Sequence, residues 1–217
     1  MGLRNKTNYR TIKFMAKGEE TRDRIIRHAL QLSSAEGLEG LSIGVLASDL
    51  GLSKSGLFAH FGSKEELQVA VLKLVAERFE REVLQPAFRA PRGEPRIRRI
   101  FDRWMDWMTD AAQGGCPFVD ASFELDDKVD SRPRGYLVTA QRQLLAALAR
   151  AAQIAKEEGH FRPDLDTDQF AFELDGVMLS FSHWKRLLRD SRAESRARGA
   201  FERLIADARA AVNLDAS

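Results

Sequence analysis

From Glu20 onward the apolar residues recur at intervals of three and four, and no run keeps the two-residue alternation of a half-buried strand. A chain patterned in this way folds as packed helices. Glycine and proline fall between the periodic segments, and β-branched residues are sparse. Nine helices are predicted, over 20–36, 42–50, 53–61, 63–85, 95–112, 117–126, 132–158, 166–190 and 193–213. The architecture is therefore expected to be all-α.

Local signals sharpen the boundaries. Gly37 is suited to ending the first helix in the left-handed conformation, and Ser42 to starting the second. Gly51 makes a tight turn, Ser53 caps a third helix, and Ser63-Lys64-Glu65-Glu66 is a capping box that opens a long fourth. Asp166 with Gln169 makes another. The Pro-rich stretch QPAFRAPRGEPR, residues 85–96, reads as a connection.

At 217 residues the chain can form a small domain joined to a larger one. The expected division is 1–17, a basic arm without regular structure; 18–66, a small unit of short helices; and 67–217, a larger helical domain. Residues 1–17 carry Arg4, Lys6, Arg10, Lys13 and Lys17 with no acid. They read either as an arm that touches DNA or as a lead-in ahead of a start at Met15. One Cys forms no intrachain disulfide, and no apolar run is long enough to span a bilayer, so a cytoplasmic protein with no membrane partner is expected. Thirty-four basic residues are nearly matched by 32 acidic ones, so total charge does not argue for nucleic acid.

The case for nucleic acid is local. Two short helices joined by a glycine turn, the second beginning Ser-Lys-Ser-Gly, form the helix-turn-helix pattern, whose second helix enters the major groove. The run SIGVLASDLGLSKSGLFAHFGSKEELQVAVL closely resembles the DNA-binding region of TetR-family transcriptional regulators, most specifically over LSKSGLFAHFGSKEEL. Lys54 and Ser55 lie in the first turn of the second helix, where a cation and free amides favour a polyanion. Gly56 removes a side chain and lets the helix approach closely. His60 and Lys64 are placed for phosphate oxygens, with Ser42 at the start of the preceding helix, while Leu57 and Phe61 pack inward. Phe58 stands where the family pattern has Tyr, so a hydroxyl for a backbone phosphate is missing. Residues 18–66 hold eight acids against five bases, so binding must rest on a local basic face.

The resemblance implies a homodimer on a palindromic double-stranded DNA operator, with a small-molecule effector in the larger domain. Phe170, Leu174, Val177, Phe181, Trp184 and Leu188 follow 4-3-4-3-4 spacing and, with Phe201 and Leu204 on the last helix, are the expected dimer seam. Phe172, Gly176, Leu179, Ser180, His183 and Leu187 form a second face on the roughly opposite side of the same helix. Trp104, Trp107, Met108, Phe118 and Phe123 are the expected ligand site for an apolar or amphipathic effector, although such a stripe also suits plain core. Cys116 is read as a buried small hydrophobe, and the four histidines lack metal spacing. No catalytic constellation, metal site or cofactor motif is found. The expectation is a non-enzymatic repressor released by an effector; the alternative is an effector-independent DNA-binding regulator or activator, and a hydrolase using Cys116 is the rival from another class.

Overall fold

A computed structural model describes residues 4–110 and 115–209, with side chains from Gly18 onward. Its helices are α1 (Arg4–Glu36), α2 (Ile43–Asp49), α3 (Lys54–Phe61), α4 (Lys64–Phe79), α5 (Gln85–Ala87), α6 (Glu94–Thr109), α7 (Pro117–Leu125), α8 (Arg132–Glu157), α9 (Thr167–Ser182) and α10 (Ala193–Ala208). They match the nine expected segments plus α5, a single turn. Among the described residues the one β contact is an isolated bridge between Phe161 and Arg209. The backbone is helical from Arg4, where an arm without regular structure was expected. Between Arg4 and Glu36 the only Gly is Gly18 and there is no Pro, so nothing in the sequence stops the helix. Residues 1–3, the side chains of 4–17, and everything past Arg209 lie outside the described residues.

The serine caps act as expected. Ser42, Ser53 and Ser63 each accept a hydrogen bond from the backbone N–H three residues on, which satisfies an otherwise orphaned donor at each helix start. Asp166 accepts from the N–H groups of Asp168 and Gln169. Leu57 and Phe61 of α3 are buried against Leu46 and Ala47 of α2 and Ile25, Ile26, Ala29 and Leu30 of α1 in one continuous core. Val45 is exposed, and Leu46 and Ala47, with the partly buried Ile43 and Leu50, cover the inner side of this segment.

Helix α4 leads out of this unit into the larger domain, where it packs on α8. Its last turn widens into a π-helical segment, Glu80–Leu84, before α5. Pro86 supplies the reason. It has no N–H for the carbonyl of Glu82, and its ring crowds that oxygen. Arg103 Nε of α6 donates to Glu82 O instead, at 3.0 Å.

The larger domain packs α9 between α8 and α10. This corrects the expected dimer seam. Phe170, Leu174, Phe181, Phe201 and Leu204 are buried within one protomer, and Val177 and Trp184 are half-buried there. Phe201 stacks on Phe101 of α6 with centroids 3.9 Å apart, Phe170 meets Phe161 at 5.4 Å, and Arg196 covers Trp184 at 5.0 Å. Only Leu188 of that seam is exposed. The spacing identified a buried stripe, but the stripe belongs to the protomer's own core. The other face of α9 is open, with Phe172 at 69% exposure, Leu179 at 41% and Leu187 at 71%.

An ion-pair cluster ties α6 to α10. Glu94 accepts from Arg98 at 2.7 Å and from Arg209 at 2.7 Å, and Arg98 also donates to Glu202 at 2.6 Å. The hydrogen bond from Arg209, reinforced by Arg98 and opposed by burial, lowers the Glu94 carboxyl from its ordinary 4.5 to about 2. A depressed carboxylate stabilises the fold above its unfolded-state pKa and stops doing so as pH falls through the folded one. Glu94→Gln is expected to cost about 2 kcal/mol at pH 7, the scale of a charge-assisted hydrogen bond. In thermal melts the gap between variant and parent should close between pH 4.5 and about 2.

Candidate DNA-binding and effector sites

The outer face of α3 presents Lys54, Ser55, Phe58 and Ala59 to solvent, with Gly56 and His60 half-buried beside them. Ser53 Oγ accepts from Gly56 N at 3.0 Å and lies 3.1 Å from Ser55 Oγ. A Cβ at position 56 would come within 3.1 Å of that same cap oxygen, so glycine keeps the first turn tight. Lys54 extends back over α2, where a Cβ at Gly44 would meet its Cε at 3.2 Å. Ser42 is committed to capping α2. Lys64 lies off the α3 face: its Nζ donates to Glu39 O at 2.6 Å, which leaves two of its three N–H groups for another acceptor.

That bond is one of several that converge on the α1–α2 turn. Buried Gln68 of α4 donates through Nε2 to Leu38 O at 2.9 Å and to the Glu39 carboxylate at 3.0 Å. From α7, Glu124 Oε2 accepts the Glu39 N–H at 2.7 Å. Gly37 makes room for this approach: its φ is +81°, and a Cβ there would sit 2.8 Å from Glu124 Oε1. His28 and Asp49, 3.0 Å apart, link α1 to α2.

Between α4, α6, α7, α8 and α9 lies a cavity of about 320 Å³, lined mostly by apolar and aromatic side chains. Three of the expected ligand residues, Trp104, Met108 and Phe118, line it. The other two do not. Trp107 is buried beneath it, edge-on to Phe79 at 5.5 Å with Arg78 over its ring. Phe123 is 75% exposed and borders a shallow groove shared with Leu179, Leu187, His183 and Arg186. On a nine-residue helix, Phe118 and Phe123 are five positions apart and so face different ways. Asp120, which borders the same groove, is held by Arg186 Nη1 at 2.7 Å.

Sequence reasoning missed Gly44, Gln68 and Asp175. Asp175 lines the cavity from α9, and burial raises its carboxyl above the usual range. Among the described residues no cluster of His, Cys, Asp and Glu could hold a metal, and no helix is long and apolar enough to cross a membrane.

A family model for "Bacterial regulatory proteins, tetR family" matches residues 25–71, and one for "Tetracyclin repressor-like, C-terminal domain" matches residues 93–201. The HTH-type transcriptional repressor DrrR1 of Streptomyces coeruleorubidus is 39% identical over 67 residues, which are 31% of this chain and 23% of that protein. The chain thus aligns with under a quarter of the length of this relative. A TetR transcriptional regulator from Chloroflexus aurantiacus superposes with a TM-score of 0.78 at 25% identity, covering 90% of this chain and all of that one. AibR, solved with isovaleryl coenzyme A and operator DNA, superposes with a TM-score of 0.66 at 23% identity, covering 85% of this chain and 97% of its own.

Cys116 is buried at the start of α7, and burial pushes its thiol up, the reverse of what a nucleophile needs. Cys116 lines the cavity, so a small alkylating agent can reach it, but its raised pKa leaves little thiolate, and native protein should react at least about tenfold more slowly than denatured protein. Mass spectrometry after timed labelling checks this; equally rapid native labelling would show a readily ionised thiol.

Proposed function

The chain belongs to the TetR family of DNA-binding transcriptional regulators, and from that premise we propose that it is a homodimeric repressor, released from a palindromic operator by an apolar or amphipathic effector. The observation that carries the effector reading is the cavity itself, because the helices that wall it also hold the DNA-binding unit. Helix α4 contributes Ala76 and Phe79 to the cavity and Lys64 and Gln68 to the α1–α2 turn. Helix α7 contributes Phe118 and Val119 to the cavity and Glu124 to the turn. A ligand that spreads α4 from α7 therefore changes how the helix-turn-helix unit is held.

In this reading residues 18–66 bind DNA and 67–217 bind the effector and the partner. Lys54 and Lys64 neutralise phosphates, with Ser42 and His60 beside them. Ser55 and Gly56 lie nearest the base edges, and Phe58 offers apolar contact. A palindrome requires two such units about 34–36 Å apart, which a dimer supplies. The exposed face of α9 suits that dimer: Phe172, Gly176, Leu179, His183 and Leu187 repeat at helical spacing, and Phe123 of α7 and the small residues Gly199 and Ala206 of α10 are also accessible. A ligand that releases DNA must bind the DNA-free form more tightly.

Two experiments test the two surfaces. On an operator obtained by in vitro selection, Lys54→Ala is expected to weaken binding to all sequences alike and to flatten the salt dependence by about one unit per half-site. Ser55→Ala should instead change sequence preference, and a footprint indifferent to both would rule out α3 as the recognition helix. Phe172→Glu, at a position already exposed in the protomer, is expected to give a folded monomer by light scattering and circular dichroism. A Phe172→Glu variant that stays dimeric at micromolar concentration would place the interface elsewhere.

A further inference from the structure

Basic residues slightly outnumber acidic ones over the whole chain, yet among the described residues no Lys, Arg or His lines the cavity, while Glu80 and Asp175 both do. Arg96 stands over the ring of Phe88 at 5.7 Å, but it donates to the carbonyls of Phe88 and Ala90 and is not part of the lining. Residues 111–114, which lie outside the described residues, are Ala111, Ala112, Gln113 and Gly114, none of them charged.

Asp175 is the informative residue. Three other carboxylates of this domain that stand against its helices are held: Asp120 by Arg186, Asp102 by Arg198, and Glu94 by Arg98 and Arg209. Asp175 is half-buried on α9 and has neither an ion pair nor a hydrogen bond among the described residues. Burial without a partner raises its carboxyl, which is the signature of a charge lacking a counter-charge. Around it the walls are aromatic, with Phe79, Trp104, Phe118 and Tyr136, and ring faces attract cations. Trp104 is almost fully buried, and its indole N–H has no acceptor among the described residues.

We propose that the cavity binds a lipophilic organic cation, an amine or quaternary ammonium on an apolar body, with Asp175 as its counter-charge and the aromatic walls around its alkyl or aryl part. This inference rests on the reading of the cavity as the effector site and narrows it to one chemical class. An anionic ligand would meet two carboxylates and no cation. A neutral apolar ligand would leave Asp175 buried and unpaired. The volume, at the small end of the range for ligand pockets, suits one such molecule with a compact body.

The test is a titration of the full-length protein, followed by tryptophan fluorescence and calorimetry, with three matched probes below their micelle concentrations. They are octyltrimethylammonium, its neutral water-soluble isostere octyldimethylphosphine oxide, and octyl sulfonate. The ammonium should bind at least about tenfold more tightly than the isostere, and the sulfonate should not bind. Asp175→Asn should bring ammonium and isostere to within about twofold of each other while leaving the affinity of the isostere intact. Because this change removes an unpaired, half-buried charge, the variant is expected to fold. Glu80→Gln, at an exposed rim position, provides a second variant and should weaken the ammonium by a smaller factor. Equal binding of ammonium and isostere by the parent, or a cation preference that survives Asp175→Asn, overturns the proposal and leaves the effector cavity standing. Failure of all three probes to bind at millimolar concentration overturns the effector cavity as well.

Discussion

The hydrogen bonds at the α1–α2 turn are the constraint on which the rest of the arrangement depends. A turn between two helices exposes backbone groups that need partners. Here the partners for Leu38 O, Glu39 O and Glu39 N are the side chains of Gln68, Lys64 and Glu124. Two of these stand on α4 and one on α7. The DNA-binding unit is therefore fastened by polar bonds of fixed direction as well as by its apolar core. Apolar contacts tolerate sliding; a 2.7 Å bond from an amide to a carboxylate does not.

The same two helices form walls of the cavity, and the architecture keeps that space open. Pro86 widens the end of α4 into a π-helical turn, and Arg103 holds the widened turn by taking the Glu82 carbonyl. Glu80 and Leu84 of that turn line the cavity. The departure from regular helix thus falls at the cavity, and the regular turns of α4 run from there to Ser63 and the helix-turn-helix unit. Coupling between the sites needs no long chain of side chains, since both ends are on the same helix.

What could be read from the sequence was local. Serine caps, glycine turns and the period of the apolar residues each act within four positions, and they located α2, α3, α4 and α9 closely. The helix-turn-helix was legible for the same reason. Readings that required choosing between two faces failed. On α9 both Phe170 and Phe172 head apolar stripes, and periodicity cannot say which one meets the protomer's own α8 and α10. Packing decides: Phe170 is covered by Phe161, and Phe172 stays open. Phe123 and Trp107 failed likewise, since an aromatic residue on a short helix or at the edge of an arc carries no label for the side it faces. The bond between Glu39 and Glu124 spans 85 residues and joins a lone carboxylate to a backbone amide, so no motif announces it.

The central claim is that the effector cavity and the operator are coupled through the α1–α2 turn. The most direct measurement is the operator affinity, with and without a saturating ligand that quenches Trp104, for the parent and for Glu124→Ala. The variant removes one fastening without touching the cavity lining or the α3 surface. The account predicts that ligand weakens operator binding of the parent by about 5- to 150-fold and that this factor falls several-fold in the variant, with ligand affinity in the absence of DNA unchanged. An identical coupling factor in parent and variant would contradict it, because the two sites would then communicate by a route in which the turn plays no part.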